Sequence, residues 1–282
     1  MRTTAGQDLR GPLPEGLGRA IRETAGDIAA LLRDAPDTSA PVPGSRWTVG
    51  EAAAHLALAN ELMADLASGR QRPYGDGTPG SLAAANERAL AGFGERRAEP
   101  LATMITEQAG VFLEAVERAP RRAASHGPAE HATPVTPLGP MDRAILGSYL
   151  LTHMLGHGYD LARALHRRHM LDHGRVMLCM PFMLSVMPRV ADPAATAGLT
   201  ARYTVRPRGG AAFGVALADG SVNVTPGPPD RPDCTIWIEP VTFLLIALGR
   251  RNPWRAIARG QVVAWGRRPW LAPRFPALFT AP

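Results

Sequence analysis

Two histidines four residues apart stand out in the chain. The local sequence is Thr152-His153-Met-Leu-Gly156-His157-Gly158-Tyr159-Asp160-Leu-Ala-Arg163. On a helix an i, i+4 pair puts both imidazoles on one face. Asp160, seven residues after His153, returns to nearly that face. Two imidazoles from one helix plus one ligand from a neighbouring helix can hold a divalent metal ion and leave a fourth position open for chemistry. The candidate third ligand is His55, in Trp47-Thr-Val-Gly-Glu51-Ala-Ala-Ala-His55-Leu-Ala. It lies on an Ala/Leu-rich face that should be buried, and a buried imidazole needs a partner. The plainer reading of each is a helix histidine paired by spacing alone, or a hydrogen-bonded core residue. The other histidines, 126, 131, 166, 169 and 173, read as loop or helix-end surface residues.

Composition narrows the chemistry further. All 31 basic residues of the 282 are Arg, which excludes a lysine Schiff base or lysine general base. Arg is scattered and aromatics are 6%, so no nucleic-acid partner is expected and the net charge of +6 suits anionic small molecules better. The two cysteines, Cys179 and Cys234, form no CxxC motif and read as buried apolar residues. No apolar run approaches the roughly 20 residues of a membrane span, and the N-terminus carries no signal-like segment. A cytoplasmic protein with no membrane partner, monomer or homodimer, is expected.

The elements that must position these residues follow from periodicity. Helices are expected over Pro14–Ala35, Trp47–Ser68, Ser81–Gly92, Leu101–Arg118, Met141–His169 and His173–Val190. Thr48 followed by Glu51 is a capping box for the second of these. The stretch Ala119–Pro140 reads as an irregular loop. Beyond residue 193 short β-type runs take over: Ala201–Arg206, Ala212–Ala218, Ser221–Thr225, Cys234–Glu239 and Gln261–Gly266. Ala218-Asp-Gly-Ser221 is a hairpin turn. Short helices are expected at Pro240–Gly249, Pro253–Gly260 and Trp270–Phe279. The fold class is therefore α+β: a helical bundle over residues 13–192, then a smaller mixed domain over 193–282 with an antiparallel-type sheet.

A resemblance ties the histidines together. Trp47 to Ala57 resembles the second-helix signature of the DinB-like metal-binding four-helix bundles, and more narrowly of the mycothiol-dependent maleylpyruvate isomerase family. His153 to Ala164 resembles that family's third metal-bearing stretch: a ligand, three residues, His, two residues, Asp. The isomerases often have Glu at the first position; this chain has His153, as in all-histidine DinB-like proteins. Cys234–Glu239, Phe243–Arg250, Pro253–Gly260 and Val262–Gly266 resemble a sterol carrier protein type 2 module. The resemblance covers residues 15–280. It implies a divalent metal, zinc, on His55, His153 and His157, with Asp160 orienting His157. It also implies mycothiol or another small thiol as cosubstrate and an actinobacterial source. The implied activity is isomerisation or S-conjugation of a small electrophilic substrate. The alternative is a non-enzymatic binder of an apolar small molecule through the C-terminal module, with Trp237, Phe243, Leu244, Trp254 and Trp265 as lining. Arg163 could pair with Asp160 or a substrate carboxylate, and Tyr149 or Tyr159 could donate a proton.

Overall fold

Leu17, Ile21, Ala25, Ile28 and Leu32 recur at helical spacing, and all are buried in α1 (Leu17–Arg33) of the computed structural model. The structure describes residues 13–76, 78–118, 135–136 and 138–280. His126 and His131 fall outside them. Contacts divide the chain into two units, one ending at Leu171 and one beginning at Asp172.

The first unit adds α2 (Val49–Ala67), α3 (Leu82–Ala91), α4 (Ala98–Arg118) and α5 (Arg143–Ala164) to α1. Between α4 and α5, β1 (Val135–Thr136) pairs with β2 (Gly139–Pro140) as a minimal antiparallel ladder. The capping box on α2 is formed: the Glu51 amide donates to Thr48 Oγ1 at 3.2 Å, and the Thr48 amide donates to Glu51 Oε2 at 2.8 Å. Glu51 is thereby a cap. Asp142 caps α5 by accepting from the Ile145 amide at 2.7 Å.

Helix directions follow from particular contacts. Arg33 at the end of α1 pairs with Glu99 at the start of α4, so these helices run antiparallel. On α5, Gly147 lies against Leu17 and Gly158 against Ile28, so α1 and α5 run parallel. Gly50 at the start of α2 lies against the Arg96 carbonyl just ahead of α4, so α2 and α4 run parallel. The result is an up–down–down–up bundle in which α2 and α5 are antiparallel neighbours. The long α2–α4 connection that carries α3 makes that order possible. The start of α2 thus meets the end of α5, which is where His55 and the His153/His157 pair sit.

Helix α5 ends at Ala164, five residues before the expected His169. His166 takes a left-handed φ of 53°, and the Arg167 amide turns back to the Ala162 carbonyl at 2.8 Å, a helix-terminating geometry.

The second unit holds α6 (His173–Val186), α7 (Pro193–Thr196), β3 (Ala201–Pro207), β4 (Phe213–Ala218), β5 (Ser221–Pro226), β6 (Cys234–Ile238), α8 (Pro240–Ala247), α9 (Pro253–Ala258) and β7 (Val262–Trp265). A 3₁₀-helical segment, Pro269–Leu278, follows. The expected boundary near 193 leaves α6 with the bundle; in the structure α6 packs on α8, and the division falls at 171/172. The sheet order is β5-β4-β3-β6-β7. The Asp219-Gly220 turn joins β4 to β5 with both residues at positive φ, as a two-residue hairpin of this hand requires. An antiparallel-type sheet was the expectation, and one pair departs from it: β3 and β6 are parallel. The chain leaves β4–β5 and crosses back to the far side of β3, a connection that strand periodicity does not encode. The segment expected as a terminal helix is 3₁₀ because Pro273 and Pro276 remove amide donors from its interior. No helix among the described residues is long and apolar enough to cross a membrane.

Candidate metal centre

His55 lies in the second turn of α2 and is 5% exposed; its neighbours Ala52 to Ala57 are all buried. His153 lies at the middle of α5 and His157 one turn later. The antiparallel contact of α2 with α5 brings the three rings together. His55 Nε2 and His153 Nε2 are 3.1 Å apart. The His55 ring centroid is 4.9 Å from that of His157, and the two α5 rings are 4.6 Å apart. One ligand-type nitrogen from each of the three residues lies within 4.8 Å of the others.

Two imidazole nitrogens bound tetrahedrally at zinc distances would stand about 3.3 Å apart. The His55–His153 separation of 3.1 Å is close to that value, and all three ligand atoms lie within 4.8 Å of one another. Protonation would defeat ligation, and the environment opposes it. Burial, with the neighbouring His157 adding to it, holds the His55 imidazole well below its usual protonation range. Three imidazoles converging in a mostly buried site suit a borderline-soft divalent cation. The residues present therefore fit the implied metal ion.

Asp160 lies on the same helix one turn beyond His157. Its Oδ2 is 3.5 Å from His157 Nδ1, and both side chains are largely buried. The carboxylate is placed to accept from Nδ1–H, which would make Nε2 the ligating nitrogen.

Sequence reasoning missed Trp47 as a wall of this site. Its indole lies 4.8 Å from the His55 ring and 6.1 Å from that of His157. The residue precedes the α2 cap, and the only signal for it was membership of the signature segment. Of the two tyrosines considered as proton donors, Tyr149 stands edge-on to His153 at 6.3 Å. Its phenol is buried, with Tyr74 nearby, and is held protonated far above its usual range. Tyr159 points elsewhere: it packs on His169, and the Arg163 guanidinium sits 5.7 Å above its ring. Arg163 is therefore engaged by an aromatic face. Gly158 admits Ile28 of α1 and the Met170 side chain, so its smallness serves helix packing. Both cysteines are buried, and burial pushes the Cys234 thiol up to about 11, so neither is poised as a nucleophile.

In the second unit an apolar cavity of about 90 Å³ lies among Phe182, Val186, Phe243, Ile257, Val262 and Phe275. Of the lining expected from sequence only Phe243 is there; Trp237 and Leu244 are not among the lining residues, and Trp254 and Trp265 face outward. They sit on the outer sides of α9 and β7, a choice of face that short elements do not reveal.

Comparison with known proteins matches these two parts separately. Residues 18–162 match the family model described as mycothiol maleylpyruvate isomerase N-terminal domain, and residues 189–266 match the SCP-2 sterol transfer family. Comparison with curated proteins gives no match. Among solved structures, a point mutant of a mycothiol-dependent maleylpyruvate isomerase is 13% identical with a TM-score of 0.50, the match covering 89% of this chain and 93% of that one. The unmutated isomerase gives 14% identity, the same coverage and a TM-score of 0.47. A stereoselective inverting sec-alkylsulfatase from Pseudomonas sp. gives 12% and 0.32, covering 80% of this chain and 42% of its own. At such identities the solved structures speak to fold alone. The family model spans more than half of the chain and includes all three histidines, and on that ground the chain belongs to the mycothiol maleylpyruvate isomerase family, with an SCP-2 domain following its bundle.

Proposed function

We propose that this protein is a metal-dependent enzyme that uses a low-molecular-weight thiol, mycothiol, to isomerise or S-conjugate a small electrophilic substrate in the cytoplasm. The observation that carries the reading is the convergence of His55, His153 and His157 in a mostly buried site. A zinc ion held by these residues would supply Lewis-acid charge that favours the thiolate form of a bound thiol at neutral pH.

The chain's own residues supply the setting. His55 and His153 face each other through their Nε2 atoms across the α2–α5 seam. Asp160 fixes the ring orientation of His157. Trp47 covers one side of the rings and excludes water from it. Neither Cys179 nor Cys234 competes as nucleophile, so the sulfur comes from the cosubstrate. The thiolate adds to an electron-poor alkene carbon, forming a C–S bond and a carbanion stabilised by the substrate carbonyl. Rotation and expulsion of the same sulfur returns the thiolate and yields the isomer. Protonation of the carbanion instead leaves the S-conjugate.

Turnover of metal-loaded protein with an electrophilic unsaturated acid such as maleylpyruvate, with and without thiol, tests this. Activity only with both metal and thiol is expected. Full activity without thiol removes the thiol mechanism, and full activity without metal removes the site assignment.

The cavity in the second unit favours one other reading, a carrier of an apolar molecule. At about 90 Å³ it falls well short of the several hundred that enclose a small-molecule ligand. The enzyme reading is therefore the better supported.

A further inference from the structure

Helix α3 is the one helix of the first unit outside the up–down–down–up bundle, and only Ala85 and Leu90 of its ten residues are buried. Its ties place it beside the histidine cluster. Just past its end, the Arg96 guanidinium donates to the Leu90 and Phe93 carbonyls at 3.0 and 2.6 Å. The Arg96 carbonyl in turn lies against Gly50 in the first turn of α2. In the middle of α3, Glu87 pairs with Arg46, the neighbour of Trp47. At its start, a loop closed by the Asp76 amide on Ser81 Oγ at 3.0 Å leads back to Tyr74. Tyr74 lies by Tyr149, whose ring stands edge-on to His153. Helix α3 therefore runs along the start of α2, with Trp47 to one side and the Tyr149–His153 contact to the other.

One side chain on it is set up to donate. Tyr74 Oη and Asn86 Oδ1 are 2.6 Å apart. That is the length of an O–H···O bond and short for N–H···O, so the phenol donates to the amide oxygen. The bond fixes the orientation of the amide and turns Nδ2 away from the phenol. Nδ2 has no partner among the described residues. Asn86 is half-buried and shares a face of α3 with Leu82 and the buried Leu90, the face turned toward the protein.

The proposed reaction calls for such a donor. When a thiolate adds to an alkene conjugated with a carbonyl, the C–S bond forms and the alkene electron pair passes to the carbonyl oxygen, with no proton transferred. Charge developing on that oxygen is stabilised by a donor already held in place. The three histidines are spoken for as ligands, and Asp160 accepts. We infer that Asn86, oriented by Tyr74, is a catalytic residue that donates to the carbonyl or carboxylate oxygen of the conjugated substrate. This rests on the thiol-enzyme reading and adds to it a residue that selects alkenes activated by a carbonyl. An electrophile without that oxygen gains nothing from the amide.

Variants of the full chain test this. Asn86→Ala should lower kcat/KM for maleylpyruvate about 100-fold, chiefly through kcat, as loss of one such donor does. Tyr74→Phe keeps the donor but frees its orientation, so a loss of about tenfold is expected, and the double variant should be no worse than Asn86→Ala alone. Alanine suits a helix better than asparagine and neither residue is a metal ligand, so zinc affinity by chelator titration should not change. A second readout needs no turnover. Succinate, a saturated dicarboxylate, titrated into zinc-loaded protein without thiol and followed by tryptophan emission, should bind about tenfold more weakly to Asn86→Ala. If the wild type shows no thiol-dependent turnover while succinate still depends on Asn86, the enzyme reading falls and the donor assignment stands. Near-wild-type turnover in Asn86→Ala, or a loss that tracks weakened zinc binding, would overturn the proposal. So would succinate that ignores the substitution or fails to bind the wild type.

Discussion

Replacing Asp160 by Asn separates orientation of a ligand from ligation itself. The amide keeps the shape of the carboxylate but loses its charge, so its hold on His157 Nδ1–H weakens. The Asp160–His157 contact is 3.5 Å, long for a hydrogen bond, so its loss should sit at the low end of the roughly 10–100-fold effect typical of such partners. Tenfold weaker zinc binding is about 1.4 kcal/mol. With zinc at 100 times the wild-type dissociation constant, binding stabilises the wild type by about 2.7 kcal/mol, and the variant keeps about 1.4. For a domain of this size that is a melting shift of about 5–10 °C for wild type and about half of it for Asp160→Asn. A competitive zinc titration with a chromophoric chelator gives the affinities, and a thermal melt at fixed zinc gives the shifts. Wild-type affinity in Asp160→Asn beside lost binding in His157→Ala would refute the orienting role. Unchanged affinity in both would remove the site.

Three more expectations follow from the same geometry. His55→Ala and His157→Ala should each abolish metal binding and turnover while leaving the helical circular dichroism and the metal-free melting temperature close to wild type. In chelator-treated protein, burial holds the His55 imidazole unprotonated in the folded state well below the pH, near 6.5, at which the unfolded chain takes up its proton. Stability should therefore be full above about pH 6.5 and fall as the pH drops below it, because there the unfolded state binds more protons; urea midpoints across this range should show the slope, and His55→Gln should flatten it. Thr24 is fully buried on α1, and its Oγ1 has no hydrogen-bond partner among the described residues. Thr24→Val should then stabilise the protein by about 1–3 kcal/mol, read as a higher urea midpoint at unchanged slope, and destabilisation would show that the hydroxyl is satisfied after all.

Much of the bundle was legible because its signals are local. The spacing of Leu17, Ile21, Ile28 and Leu32, the Thr48–Glu51 cap and the His153–His157 pair are all written within one or two helical turns. The meeting of His55 with that pair was not local: it depends on α2 and α5 being antiparallel neighbours, so the buried setting of His55 made it a candidate and only the resemblance tied it to the pair. Trp47 escaped for the same reason, since a residue ahead of a cap shows nothing of which ring it will face. In the second unit, alternation located every strand but not the parallel β3–β6 pairing, nor that Trp254 and Trp265 face outward. Helix ends were overrun where termination depends on one backbone angle, as at His166, or on proline, as in Pro269–Leu278.

With a metal ion bound, the placement of the three histidines would also make the site a cross-link. His55 and His153 are 98 positions apart, so a cation held by both closes a loop of about 100 residues that contains α3 and α4. Closing so long a loop in the unfolded chain costs about 4–5 kcal/mol in the chain-entropy model used for disulfides. Unlike a disulfide, this closure needs no oxidant, and it is undone by a chelator or by acid. The α2–α5 seam would then be a fastening whose tightness follows the free metal concentration. Proteolysis in the long α2–α4 connection, slow with metal and faster after chelation, would report it.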